Sequence, residues 1–433
     1  MRLPVRRPAG RPARSRGVVA LRLAGLAAAT ALTASFVVAG ASPAHADHVR
    51  DMEYWLSQNT VRQAWRTSEG RGVTVAVIDT GVDGRVADLR GAVTGGADLS
   101  GLGSPDGQTP VGEAGESGHG TWVASLLAGR GTGDGSGLIG VAPEASLLSV
   151  SVGFGVSSEA ASDAQIAEAV RWSVDHGASV INMSLTRNTL GWPRSWDSAF
   201  QYAFDHNVVV VAAAGNRGSG TDEVGAPATI PGVLAVAGVD RQGVASTDAS
   251  AQGITLGVAA PSEQLVGADP DGSYVQWDGT SGAAPIVAGV VALVRAAYPR
   301  LDAANVINRV IRTATPVGRV PSPLYGYGIV NADKAVTAAV SPVETNPLGS
   351  LRDWVRLHRR AAATPEPSSP AGNRAAMPPA TLAPEAAGPG PGLGWQGLTG
   401  AVLPVAVAAG ILLFALALWL AVMRYFRRGT DKG

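Results

Sequence analysis

Five short runs of apolar, mostly β-branched residues punctuate the middle of the chain, at 73–78, 146–152, 180–183, 208–213 and 234–239. Polar residues scarcely alternate within them, which is the pattern of strands buried on both faces. Between these runs, 160–176 and 195–206 carry apolar residues at helical spacing, and 283–297 is an apolar helix broken only by Pro285 in its first turn, where proline is tolerated. Strand and helix alternating in this way predict an α/β fold, a mainly parallel sheet with helices on both faces, over a body at 72–340. No internal repeat interrupts the pattern.

The two ends follow other rules. Residues 1–46 hold seven arginines and no acid, with an uncharged apolar stretch at 23–40 before Ala44-His45-Ala46, the form of a secretory signal with an A-x-A cleavage site. A short extension at 47–71 leads into the body. After the body, 341–394 reads as a linker: its part from 361 holds eight prolines among Ala, Gly, Ser and Thr, an extended tether. Within 341–360, Leu351, Trp354, Val355 and Leu357 have the spacing of a short amphipathic helix at the linker's margin. No charged residue lies between Glu385 and Arg424, and 401–423 is almost wholly apolar. As a helix of about 34 Å it is long enough to cross a hydrocarbon core, so 398–423 is the expected C-terminal transmembrane helix. The basic tail at 424–433 should then stay cytoplasmic and the body lie outside the membrane.

Composition refines this picture. The formal charge is zero over 433 residues, yet both ends are basic and the acids are concentrated between them, which argues against a nucleic-acid partner. With 46% hydrophobic and 16% charged residues the body can bury a large core, and with no cysteine it must do so without disulfides. Scattered aspartates leave room for a structural calcium ion, but no ligand spacing stands out and no metal or other cofactor is expected.

Three glycine-bounded segments carry the candidate chemistry. Asp79 ends a buried strand and precedes Thr-Gly, which puts its carboxylate at the carboxyl edge of the sheet, while Asp83 and Asp88 read as turn or surface residues. Of six histidines, two lie at the signal, one in the linker margin, and two at expected helix ends; His119 alone sits between glycines, at the head of a helix. Ser281 follows Gly-Thr and opens the apolar helix, where its backbone N–H and the positive helix end could face an oxyanion. Asn216, after a buried strand and Gly215, could donate to the same oxyanion. The chain order Asp, His, Ser separates this set from an α/β-hydrolase esterase, in which the serine comes first within G-x-S-x-G.

These residues resemble the subtilisin-like serine proteases, over about 61–336. The resemblance extends to Val180-Ile-Asn-Met-Ser184-Leu185 and to Tyr325-Gly-Tyr-Gly-Ile-Val-Asn331-Ala332. It implies a triad of Asp79, His119 and Ser281, with Asn216 as oxyanion donor. It also implies that Ser184, Leu185 and Thr186 face Ala213, Ala214 and Gly215 across the pocket for the substrate side chain just before the cleaved bond. The whole layout is similar to the mycosins, membrane-anchored proteases of type VII secretion systems, although the cysteines of mycobacterial members are absent. The resemblance implies a single-pass, extracytoplasmic endopeptidase acting on protein or peptide substrates beside a secretion complex. The rival expectation is a structural component of that complex in which proteolysis is dispensable.

Overall fold

The computed structural model describes residues 49–359 except 114, 134 and 155–160. The expected signal, the proline-rich tether, the membrane helix and the basic tail lie outside the described residues. Two short helices, α1 (Tyr54–Gln58) and α2 (Val61–Ala64), come first, followed by strands β1 (Thr74–Asp79) and β2 (Val93–Asp98). Helix α3 (His119–Ala128), strand β3 (Ser146–Ser151), helix α4 (Ser162–Asp175), strand β4 (Val180–Met183) and helix α5 (Arg194–Asp205) continue the alternation. Strands β5 (Val209–Ala213), β6 (Leu234–Val239) and β7 (Leu256–Pro261) precede a hairpin of β8 (Leu265–Ala268) and β9 (Tyr274–Trp277). Four helices close the described chain: α6 (Thr280–Ala297), α7 (Ala303–Thr313), α8 (Ala332–Thr337) and α9 (Leu351–His358).

Seven strands form one parallel sheet in the order β2-β3-β1-β4-β5-β6-β7. The order reverses direction at β1, whose neighbours are β3 and β4, so a crevice opens at the carboxyl end of that strand. Successive side chains of each strand serve opposite faces. Val75 and Val77 belong to the core shared with α3, α6, α7 and α8, whereas Ala76 and Ile78 belong to the one shared with α4 and α5. All five expected strands are present within one residue at each end. The edge strands β2 and β7 and the β8–β9 hairpin are not among the expected strands, although β7 and β8 are apolar and fully buried. In β2 the Gly95-Gly96 pair replaces an apolar run, and a side chain at Gly96 would collide with the backbone of Ser149 and Asp106.

Three expectations need correction. Asp83 precedes a turn and Asp88 lies in a short 3-10 helix, Ala87–Leu89, but neither is a surface residue: they are 5% and 2% exposed. Asp83 is paired with Arg85, and Asp88 accepts from Leu138 N and from the Tyr274 hydroxyl. Pro285 lies at the sixth position of α6, not in its first turn. Finally, the margin of the linker is part of the body, because α9 packs on α5. Leu351 is 2% exposed, Trp354 packs at a tilt against Trp192 with ring centroids 4.4 Å apart, and Arg359 pairs with Asp197 at 2.9 Å. Among the described residues one helix, α6, is long and apolar enough to cross a membrane, and it is the buried central helix of this core.

Candidate active site

Strand β1 delivers Asp79 to the crevice at the reversal of strand order, with its side chain 1% exposed. Its Oδ1 accepts from Thr80 N at 2.8 Å and lies 2.8 Å from His119 Nδ1. A carboxylate only accepts, so Nδ1 carries the proton and Nε2 is left as an acceptor. Thr80 joins the two segments: its hydroxyl donates to Ser117 O and accepts from Gly120 N, each within 3 Å. Glycine is required at 120 because a Cβ there would collide with Gly81 O. The imidazole is 23% exposed and wedged edge-on against Trp122 and Trp277, with ring centroids 6.0 and 5.5 Å away. Trp122 is itself held by donating from Nε1 to Asp269 at 2.7 Å.

Burial pulls the His119 pKa down, but the charge and hydrogen bond of Asp79, with a smaller contribution from Glu116, outweigh it. The net result is an imidazole held above its ordinary value.

Ser281 is the second residue of α6, after the N-cap Gly279 and Thr280. The Ser281 hydroxyl donates to Ser184 O at 3.0 Å, while the Ser184 hydroxyl donates back to Ser281 O at 2.7 Å. Pro285 explains this clasp. It has no N–H for the carbonyl four residues earlier, so Ser281 O is free to accept from Ser184. No hydrogen bond joins Ser281 to His119 in this arrangement.

Asn216 follows β5 and turns its Oδ1 to Thr280, accepting from N at 2.8 Å and from Oγ1 at 2.9 Å. Because that oxygen serves the helix start, the amide Nδ2 is the group left to donate. Gly279, at φ 142°, lets the amide fit: a Cβ there would stand 2.9 Å from Nδ2.

One cleft of about 440 Å³ collects these groups. Asp79, His119, Asn216 and Ser281 line it together with Ser184, Leu185 and Thr186. Ala213, Ala214 and Gly215 do not; all three are buried behind it. Thr80, Trp122, Trp277 and Glu116 belong to the site and were not singled out from the sequence. Trp122 was detectable, being one helical turn after His119 in an expected helix. Trp277 was not, because its hairpin has no pattern of its own. The cleft's charged lining beyond Asp79 is acidic, Glu113, Glu116 and Asp278, with no Lys or Arg. Among the described residues no group of three or more His, Cys, Asp or Glu side chains is placed to hold a metal ion.

Residues 70–328 match the model of the Subtilase family. Subtilisin DY of Bacillus licheniformis is 37% identical over 273 residues, covering 62% of this chain and 92% of that protein. Thermitase of Thermoactinomyces vulgaris is 35% identical, covering 63% and 92%. Among solved structures, the MycP3 protease from the type VII (ESX-3) secretion system is 35% identical, with a TM-score of 0.57 over 66% of this chain and 88% of that one. MycP1 from Mycobacterium smegmatis is similar at 27% identity and a TM-score of 0.57, covering 68% and 87%.

Proposed function

The chain belongs to the Subtilase family and is a serine endopeptidase, and on that premise we infer that Asp79, His119 and Ser281 are its catalytic triad. The observation that carries this reading is the Asp79–His119 hydrogen bond of 2.8 Å, which fixes the tautomer with Nε2 free in the cleft that Ser281 also lines. A rotation of Ser281 about χ1 takes its hydroxyl from Ser184 O towards Nε2. Ser281 Oγ then attacks the peptide carbonyl as His119 accepts its proton. The oxyanion is met by Asn216 Nδ2 and by Ser281 N–H, which lies in the first turn of α6 and has no intrahelical acceptor. His119 returns the proton to the leaving amine, and water hydrolyses the acyl-enzyme by the same route in reverse. Asp79 orients the imidazole and stabilises its charged form.

The type VII setting is supported by the mycosin likeness and by the ordering of signal, body, tether and apolar C-terminal segment in the sequence. In this reading the enzyme is tethered outside a cell membrane and processes proteins that pass a secretion complex.

Ser281→Ala in the full-length chain tests the chemistry. Peptide hydrolysis should fall by about 10⁶ in kcat, a magnitude taken over from subtilisin itself, and the circular dichroism spectrum should be unchanged. Turnover retained by the variant overturns the triad. Comparing secretion in cells carrying Ser281→Ala with cells lacking the protein separates proteolysis from a purely structural role.

A further inference from the structure

The two walls that would flank the substrate side chain preceding the scissile bond are the segment after β4, Ser184 to Thr186, and the end of β5, Ala213 to Gly215. An open slot between them would expose both. Instead Ala213 is 1% and Ala214 0% exposed, and the β5 wall contributes nothing to the cleft lining before Asn216. Two threonines fill the gap. Thr186 Cγ2 stands 3.3 Å from where a Cβ on Gly215 would lie, and a Cβ on Gly225 would collide with Thr186 Oγ1 and Arg187 O. Thr221, 3% exposed, puts its Cγ2 2.5 Å from the same Gly215 position. The glycines at 215 and 225 therefore make room for these threonines; they do not leave an empty slot for a ligand.

Neither plug is loose. Thr186 Oγ1 donates to Arg187 O at 3.0 Å, and the Thr221 hydroxyl donates to Asn188 Oδ1. Behind them the walls are sewn together by Gly225 N to Ala214 O at 3.1 Å, Arg187 N to Ala226 O at 2.7 Å and Ala226 N to Thr189 O at 2.9 Å. Splaying the walls to admit a large side chain would break these backbone hydrogen bonds, of which the Gly225–Ala214 bond joins two buried residues.

We propose that Thr186, backed by Thr221, closes this pocket and restricts the enzyme to substrates with a small residue, Gly, Ala or Ser, immediately before the cleaved bond. The inference rests on the assignment of Ser281 as nucleophile. A pocket wall discriminates by about 10- to 200-fold for each methylene that does not fit, so the preference for small residues should be steep.

The test is a series of otherwise identical peptide anilides with Gly, Ala, Ser, Leu, Phe or Lys before the anilide, assayed with the full-length protein and with Ser281→Ala. The expected result is a kcat/KM for Ala at least about tenfold above Leu and about a hundredfold above Phe. Thr186→Gly should raise Leu and Phe relative to Ala by at least about tenfold, with Thr186→Ala intermediate. The wild-type series by itself decides the matter should a variant fail to fold. Ser281-dependent cleavage that favours Phe or Leu over Ala overturns the closed pocket and leaves the triad standing. Cleavage that survives Ser281→Ala, or no cleavage of any peptide in the series, overturns the catalytic assignment and the pocket with it.

Discussion

His119 is held by Asp79 on one side and feels Glu116, three residues earlier, on the other, and both acids keep its pKa above the ordinary 6.5. A general base works only when neutral, so kcat/KM should rise with pH through a limb lying above 6.5, not at it. Glu116→Gln removes one of the charges that favour the imidazolium. The limb should move downward, raising kcat/KM on its acid side and leaving the plateau in place. A pH profile on an uncharged peptide measures it, and an unmoved or upward-shifted limb would contradict this account of the field around His119. The residue pattern made part of this site readable: His119 was isolated by its two glycines and Asp79 by its place at the end of an apolar run. The Ser184–Ser281 clasp was unreadable. It depends on Pro285 freeing a carbonyl that only the fold brings opposite β4.

The same division holds for elements. Central strands announce themselves because both faces are buried, so β1, β3, β4, β5 and β6 appear as apolar runs. The edge strand β2 is built on glycines that let Ser149 and Asp106 approach, and in the hairpin β8 is buried but only four residues long while β9 is partly exposed, so neither leaves a long hydrophobic trace. The N-terminal helices were read as an extension, yet Trp55, Leu56, Val61 and Ala64 are fully buried in the core. Their docking is fastened by Glu53, whose Oε1 accepts from Ile139 N at 2.5 Å while Arg50 and Arg62 lie 3.7 and 3.6 Å from Oε2.

Burial is the largest influence on Glu53; with help from nearby Asp88 it overcomes the hydrogen bond and the two arginines, and the carboxyl is pushed from 4.5 to about 7. A group that binds its proton more tightly folded than unfolded stabilises the fold at low pH, and that stability is lost as pH rises from 4.5 towards 7. The loss is on the order of 3 kcal/mol. Glu53→Gln keeps an oxygen for Ile139 N and removes the titration, so its Tm should fall less than the wild type's between pH 5 and 8. Equal pH dependence of the two proteins, followed by thermal denaturation, would show that Glu53 is not the group responsible.

At the scale of the whole molecule, the question is where the folded body gives way to the linker expected from the sequence. Read from the sequence, the change falls at 341, although the proline-dense stretch begins only at 361, because composition registers a linker only by what it lacks. The packing places the change beyond Arg359. Gly232 N donates to Leu348 O at 3.2 Å and Asn346 Nδ2 to Gly232 O at 2.9 Å, carrying the chain across the end of β6 to α9. There Leu351 closes the outer face of α5, and Arg359 lies over the rings of Trp354 and Trp192, 5.2 and 5.7 Å from their centroids. A protein ending at 340 would expose the α5 surface that Leu351 and Trp354 cover. Losing one buried leucine costs about 1.5–3 kcal/mol and an aromatic pair about 0.5–1.5 kcal/mol. The exposed ion pair Arg352–Asp205 adds little. Chains ending at 340 and at 359 should therefore differ by about 2–4.5 kcal/mol in a denaturant titration, with the shorter one binding a hydrophobic dye. Equal stability would mean that α9 rests on the body without contributing to it, and that the linker is rightly counted from 341.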